Sequence, residues 1–238
     1  MLVHSFESMG ARDGEGLRYI VFLAGCPLRC VYCHNPDTWE SVGREYSPEE
    51  IAKKVLRYKP YFKNSGGVTF SGGEPLLQSE EIVRCGDLLK NEGIGYALDT
   101  SLALPLTDSV KGAIDGADMI IADLKFPDSD LMKRYTSSPL ENTLKALDYI
   151  KGIDKRLIIR TVVVPGINDN DETLSRYLEL IEKYSPKLWE LLPFHTMGFF
   201  KYDEKGISNP LKDTPAMDSS RLGELKYFLS KKTNILIK

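Results

Sequence analysis

Cys26, Cys30 and Cys33 stand on one short stretch, Gly25-Cys26-Pro27-Leu28-Arg29-Cys30-Val31-Tyr32-Cys33-His34-Asn35, directly after the hydrophobic run Tyr19-Ile20-Val21-Phe22-Leu23. Three thiolates spaced C-x3-C-x2-C can hold an iron–sulfur cluster but cannot saturate it, because a four-iron cluster has four iron sites to ligate. The iron left without a protein ligand is a place for substrate. A zinc site is the competing reading, and a closed structural zinc site needs a fourth donor. His34 is badly placed to bind the same ion as its neighbour Cys33, while His4 and His195 are distant in sequence. A Cys30–Cys33 redox pair would leave Cys26 unexplained. The fourth cysteine, Cys85, shares a helical face with Ile82 and Leu89 and is expected in the core.

Other residues able to do chemistry sit at the ends of apolar runs. Ser71-Gly72-Gly73-Glu74-Pro75 combines two glycines, which allow close backbone approach to a ligand, with an anionic side chain. Asp123 and Lys125 close the run Met119-Ile120-Ile121-Ala122, and strand alternation puts both on one face with Leu124 on the other. Arg160 is a lone charge inside Leu157-Ile158-Ile159-Arg160-Thr161-Val162; buried, it needs a carboxylate. A carboxylate of the substrate or Asp123 could serve. Asp99-Thr100 and Phe194-His195 end two further runs.

The elements that must position these residues alternate along the chain. Strand-like runs at Leu17–Leu23, Val68–Phe70, Tyr96–Leu98, Met119–Ala122, Leu157–Val164 and Leu188–Leu192 are separated by helical stretches. The helices fall at roughly Pro48–Tyr58, Ser79–Asn91, Thr107–Ala113, Leu140–Lys151, Asp171–Tyr184 and Ser219–Lys231. Ser47-Pro48-Glu49-Glu50 has a capping serine, proline in the first turn and early acids, and Asn170 or Asp171 can cap the helix before Thr173-Leu174. Alternation of this kind specifies an α/β fold with parallel strands, either an open doubly wound sheet or a partial barrel. In both, functional residues gather at the C-terminal strand ends. Gly198–Pro215, rich in Gly, Lys, Asp and Pro, reads as a surface loop. No repeat or long linker divides the chain, so one domain over residues 1–238 is expected.

The 238 residues carry a formal net charge of −3, which provides no basic surface for nucleic acid. No run approaches the length of a membrane helix, and Met1-Leu2-Val3-His4-Ser5-Phe6-Glu7 lacks the parts of a signal peptide. The expectation is a cytoplasmic protein with no membrane partner.

The cysteine spacing resembles that of the radical S-adenosylmethionine (SAM) enzymes. The flanking motifs resemble, within that group, the pyruvate formate-lyase activating enzymes. They are His4-Ser5-Phe6-Glu7-Ser8, Asp13-Gly14-Glu15-Gly16-Leu17-Arg18, Tyr32-Cys33-His34-Asn35-Pro36-Asp37-Thr38-Trp39 and Ser71-Gly72-Gly73-Glu74-Pro75. Asp99-Thr100, Asp123-Leu124-Lys125, Val162-Val163-Val164-Pro165-Gly166 and Leu191-Leu192-Pro193-Phe194-His195 continue the likeness over nearly the whole chain.

The resemblance implies a partial (β/α)6 barrel with an open lateral face, and a 4Fe-4S cluster held by Cys26, Cys30 and Cys33. SAM would be contacted by Tyr32, Cys33, His34, Gly73, Glu74, Asp123, Leu124, Lys125, Arg160 and His195. Asp99, Thr100 and Asp123 would hold a monovalent cation, and Asp13, His34 and Arg160 would meet a protein substrate. That substrate would be a glycyl-radical enzyme, its backbone glycine losing an α-hydrogen to a 5′-deoxyadenosyl radical. The electron donor would be of flavodoxin or ferredoxin type, and the chain a monomer in anaerobic metabolism. No second cysteine-rich insert follows the first motif, which points to pyruvate formate-lyase as the partner.

Two positions depart from the family pattern: Glu15 stands where relatives have proline, and Asp99-Thr100-Ser101-Leu102 where they usually continue Asn-Gly. Both leave the radical chemistry untouched and bear on the partner. The alternatives are activation of another glycyl-radical enzyme, a radical SAM reaction on a small molecule, and, remotely, a non-catalytic iron–sulfur or zinc module.

Overall fold

The computed structural model describes residues 1–238. Eight strands form one sheet: β1 (Leu2–Gly10), β2 (Arg18–Leu23), β3 (Arg44–Glu45), β4 (Gly67–Gly72), β5 (Tyr96–Thr100), β6 (Met119–Asp123), β7 (Leu157–Val163) and β8 (Leu188–Pro193), in the order β3-β1-β2-β4-β5-β6-β7-β8. The six expected strands are β2 and β4 to β8, each parallel to the next. The other two lie outside the expected set and run antiparallel, β1 on β2 and β3 on β1. The first and last strands of the order do not pair, so the sheet is open.

The helices are α1 (Pro48–Leu56), α2 (Lys59–Phe62), α3 (Ser79–Asn91), α4 (Asp108–Gly116), α5 (Ser129–Thr136), α6 (Glu141–Gly152), α7 (Asp171–Tyr184), α8 (Phe200–Lys205) and α9 (Ser219–Ser230). Ser47 and Glu50 close a reciprocal capping box on α1. At α7 the cap is Asn170, which accepts from the Thr173 N–H. Cys85 lies in the core with Ile82 and Leu89, all 0% exposed. The expected loop at Gly198–Pro215 is corrected: it contains α8, whose Tyr202 is buried. Aromatic packing overrides the breaker-rich composition there, with Tyr202 edge-on to Trp39 at 5.9 Å and Phe199 against Phe194 at 5.8 Å.

Strand alternation sorts the inner face of β5 to β8 into layers. Ala97, Met119, Ile121, Ile158 and Leu188 form a small apolar cluster separate from the main core. Two residues further along each strand, on the same face, stand Asp99, Asp123, Arg160 and Glu190. The lumen therefore turns from apolar to charged within one pleat.

The β1–β2 connection, residues 11–17, crosses the N-terminal ends of the parallel strands. Glu15 pairs with Arg156 and, at 3.3 Å, with Lys187, the residues just before β7 and β8. Gly16 (φ +71°) abuts the Gly66 backbone just before β4. At the far edge, the C-terminal tail covers β8: Trp189 N–H donates to Leu236 (2.9 Å) and Leu191 N–H to Lys238 (2.8 Å). An open parallel edge is thereby shielded.

Candidate active site

The three cysteines follow β2 on a loop gripped from several sides. Gly25 N–H donates to Thr38 (2.9 Å) and Cys26 N–H to Trp39 (3.2 Å). Arg29 N–H donates to Thr136 (2.8 Å) and Val31 N–H to Tyr135 (3.0 Å), at the end of α5. On the other flank Tyr202 Oη donates to Cys33 O (3.0 Å), and Lys201 Nζ reaches Asn35 (2.8 Å) and Asp37 (3.1 Å). His34 stacks on His195, ring centroids 3.8 Å apart, and its Nε2 contacts His195 O at 2.9 Å. That stack joins the loop after the first parallel strand to the loop after the last.

A cleft of about 270 Å³ opens where the strand ends meet this loop. Its walls include Cys26, Cys30, Tyr32, Cys33 and His34, then Ser71 and Gly73, Asp99 and Thr100, Asp123 and Lys125, and Arg160. All six parallel strands or the loops after them contribute, as the curvature of a partial barrel requires. Asp13 reaches the same cleft from the β1–β2 connection. A second space of about 570 Å³ adjoins it, sharing Asp13, His34 and Arg160 and adding His195 and Glu190.

Three sequence-predicted residues are not on the walls of this cleft: Glu74, Leu124 and His195, the last lining only the adjoining space. Glu74 is 0% exposed and accepts from Leu76 N, Ser101 N and the Thr100 and Ser101 hydroxyls. Its carboxylate thus anchors the β5 loop to the Gly-Gly segment. Leu124 is also fully buried, on the face opposite Asp123 and Lys125. Thr100 lines the cleft, but its hydroxyl already donates to Glu74 and accepts from Leu102 N–H.

Gly72 and Gly73 are used to bring two loops together. Gly73 N–H donates to Leu23 O (2.9 Å) and Glu74 N–H to Gly25 O (2.8 Å). A Cβ at Gly73 would stand 2.1 Å from Gly25 O, closer than any real contact.

Arg160 has its carboxylates from the protein. Nε donates to Glu190 (2.7 Å), Nη1 lies 3.6 Å from Asp99 and 3.9 Å from Asp13, and Nη2 donates to Arg12 O. Asp123 pairs instead with Lys125. Glu190, which the sequence reading missed, stands in register beside Arg160 on the next strand. Its signal was the one Arg160 itself gave, a lone charge in an apolar strand. Burial would lower the Arg160 pKa, but Asp99 and Glu190 raise it beyond its ordinary value. Burial likewise opposes the charge on Lys125, and Asp123 raises it well above the usual lysine range. Asp99, sheltered with Asp13 and Asp123 nearby, is pushed up to about 6 by burial despite Arg160.

The chemistry of these residues fits an iron–sulfur cluster. Burial pushes Cys26 and Cys30 up to about 12 and raises Cys33, so the thiols keep their protons until metal takes their place. No disulfide joins them. No three His, Cys, Asp or Glu side chains converge as the ligands of a single ion would. Cys26, Cys30 and Cys33 all line the one cleft, and thiolates are the donors such a cluster takes. Two buried polar atoms around this cleft, Tyr32 Oη and His195 Nδ1, have no partner in the protein, an omission costing about 1–3 kcal/mol each unless a ligand answers it.

A three-cysteine loop above the first parallel strand of an open, curved sheet defines a class of enzyme. Residues 20–178 match the model of the Radical SAM superfamily, and the chain belongs to it. It is 40% identical to the pyruvate formate-lyase-activating enzyme of Clostridium pasteurianum, across 95% of this chain and 96% of that one. Within the superfamily, the chain belongs to the pyruvate formate-lyase-activating enzymes. Among solved structures, a domain of the pyruvate-formate lyase-activating enzyme from Bacteroides vulgatus aligns with TM-score 0.60 and 23% identity over 73% of this chain and 98% of that one. Streptococcus suis SuiB bound to its precursor peptide SuiA aligns with TM-score 0.69 and 16% identity over 92% of this chain and 47% of that one. At those identities both likenesses speak for the fold alone.

Proposed function

We propose that this chain activates a glycyl-radical enzyme, with pyruvate formate-lyase as the partner, by removing an α-hydrogen from a backbone glycine. The observation that carries the reading is the convergence of six strand ends on one three-cysteine loop, in a chain 40% identical to a pyruvate formate-lyase-activating enzyme. Cys26, Cys30 and Cys33 would hold three irons of a 4Fe-4S cluster and leave the fourth for SAM. The reduced cluster with SAM supplies methionine and a 5′-deoxyadenosyl radical, the species that takes the hydrogen.

The chain's own residues position and shelter. Tyr32, Cys33, His34 and Gly73 form the wall nearest the cluster. Asp123, Lys125 and Arg160 would present their charges to the polar end of SAM, and His195 would meet its adenosyl part. Glu74 and Leu124 act behind that wall: Glu74 fixes the loop carrying Thr100 and Ser101, and Leu124 turns Asp123 and Lys125 inward. A monovalent cation would lie by Asp99, Thr100 and Asp123. Asp13, His34 and Arg160, shared between the two adjoining spaces, would receive the glycine loop. Holding the target C–H bond in a near-attack position while water stays out is what an unselective radical demands.

The reading includes one radical SAM domain over residues 1–238 and a cytoplasmic monomer served by a flavodoxin- or ferredoxin-type donor. No helix is long and apolar enough to cross a membrane.

The test is anaerobic reconstitution followed by assay of 5′-deoxyadenosine under strong reductant, with Cys30→Ala alongside. Wild type is expected to form product and Cys30→Ala none. Pyruvate formate-lyase should then gain a glycyl-radical EPR signal. Turnover stimulated by small metabolites but not by a glycine-loop peptide would replace the activase reading. An intact cluster without any SAM cleavage would remove the enzyme reading altogether.

A further inference from the structure

We propose that an acidic one-electron carrier protein docks on the outer flank of the cysteine loop, over Arg29, Lys133 and Arg134. The inference rests on the reading that Cys26, Cys30 and Cys33 hold a cluster that must be reduced from outside.

The loop has two flanks with different neighbours. One is clasped by His195, Lys201 and Tyr202 and faces the cleft shared with Asp13 and Arg160. The other lies on the end of α5, where Arg29 and Val31 donate their N–H groups to Thr136 and Tyr135. Lys133 and Arg134 are exposed on this second flank, and Arg29, exposed on the loop itself, turns its guanidinium over Trp39. Unlike Arg84, Arg156 and Arg176, none of the three has an acidic partner within ion-pair reach. Asp130, one turn back on α5, is the acid on that helix face, set against Lys133 and Arg134 in the last turn.

The two arginines are held rather than loose. Arg29 lies over Trp39, 5.0 Å from the ring centroid, with Nη1 donating to Cys26 O and Leu28 O at 2.8 Å. Arg134 lies over Tyr135 at 5.3 Å. Fixed positive charge beside the cysteine loop, on a chain of net charge −3, favours the approach of an acidic partner there.

Arg29 is the residue before Cys30, so a carrier seated here is separated from the cluster by little more than the loop itself. Its reduced centre loses one electron and the oxidised cluster gains it; no bond forms or breaks and no proton moves. The substrate side of the loop stays free.

The test uses reconstituted holoenzyme of wild type, Lys133→Glu/Arg134→Glu and Lys133→Gln/Arg134→Gln, mixed anaerobically with flavodoxin in its hydroquinone form. Cluster reduction is followed by stopped-flow absorbance at low and high salt. The charge-reversed protein should be reduced about tenfold or more slowly at low salt, with the glutamine variant between. Salt should slow the wild type and barely affect the charge-reversed protein, while dithionite reduces all three alike. Equal flavodoxin rates for the three proteins, or a salt-independent wild-type rate, would overturn the docking site alone. A wild type with no cluster that dithionite can reduce would instead overturn the functional reading beneath it.

Discussion

Arg160 shows how a single buried charge organises its surroundings. Removing a guanidinium from water costs several kcal/mol unless acids and acceptors answer it. Glu190, Asp99, Asp13 and the Arg12 carbonyl do so here. The need for a carboxylate was legible in the sequence; which one was not, because it depended on the register that sets Arg160 beside Glu190. Asp99 contributes a measurable consequence. Folded Asp99 keeps its proton up to about pH 6, and an unfolded aspartate only to about 3.9. Between those values the folded chain binds more protons, so stability falls as pH rises from about 4 to about 6 and then levels. Burial also raises the Asp13 and Glu74 carboxyls, so urea titrations of metal-free Asp99→Asn should show a shallower fall than wild type; equal slopes would refute the assignment. At Gly73 steric demand dominates. Gly73→Ala must push Gly25 and the cysteine loop it opens away from position 73 and should cost about 3 kcal/mol by overpacking, read as a lowered Tm together with reduced iron retention. Normal iron content at normal Tm would mean the loop yields freely.

Among the elements, the six parallel strands were readable because each is an apolar run long enough to cross the sheet. β1 was not, since one face is in solvent and its burial alternates irregularly. α8 was hidden by breaker-rich neighbours, and only the aromatic contacts of Phe199 and Tyr202 reveal why it forms. The loop after β5 carries the departure from the family pattern, and its geometry explains what the departure does. Leu102 has φ +56°, the left-handed conformation glycine adopts freely and leucine resists by about 1–2 kcal/mol. Yet Leu102 is 0% exposed, and emptying a buried leucine site costs about 2–5 kcal/mol. Burial therefore wins over backbone relief, and Leu102→Gly should lower stability by about 1–3 kcal/mol in urea unfolding. A stabilised variant would show that strain outweighs packing. Ser101 in the same loop is spoken for by Glu74, which it meets through both its N–H and its hydroxyl.

Across the whole molecule, the ends of the chain meet at the site. The strand before the cysteine loop, β2, and the strand before His195, β8, are the outermost of the parallel set, and the His34–His195 stack and Lys201–Asp37 pair bridge the gap between them. Lys201→Ala should leave global stability within about 1 kcal/mol, as expected for a partly exposed ion pair, while residues 196–205 lose hydrogen-exchange protection. Unchanged exchange there would mean the aromatic contacts alone hold the segment. The crossing connection beneath has a consequence in time. Glu15 meets Arg156 and Lys187 across the base of the lumen, and His34 is covered by His195 and Gly198. A ribosome therefore has to deliver nearly the entire polypeptide before the cysteines made near its beginning have a shelter. The enclosure of the cysteines is thereby a property of the nearly complete chain, although they lie near its beginning.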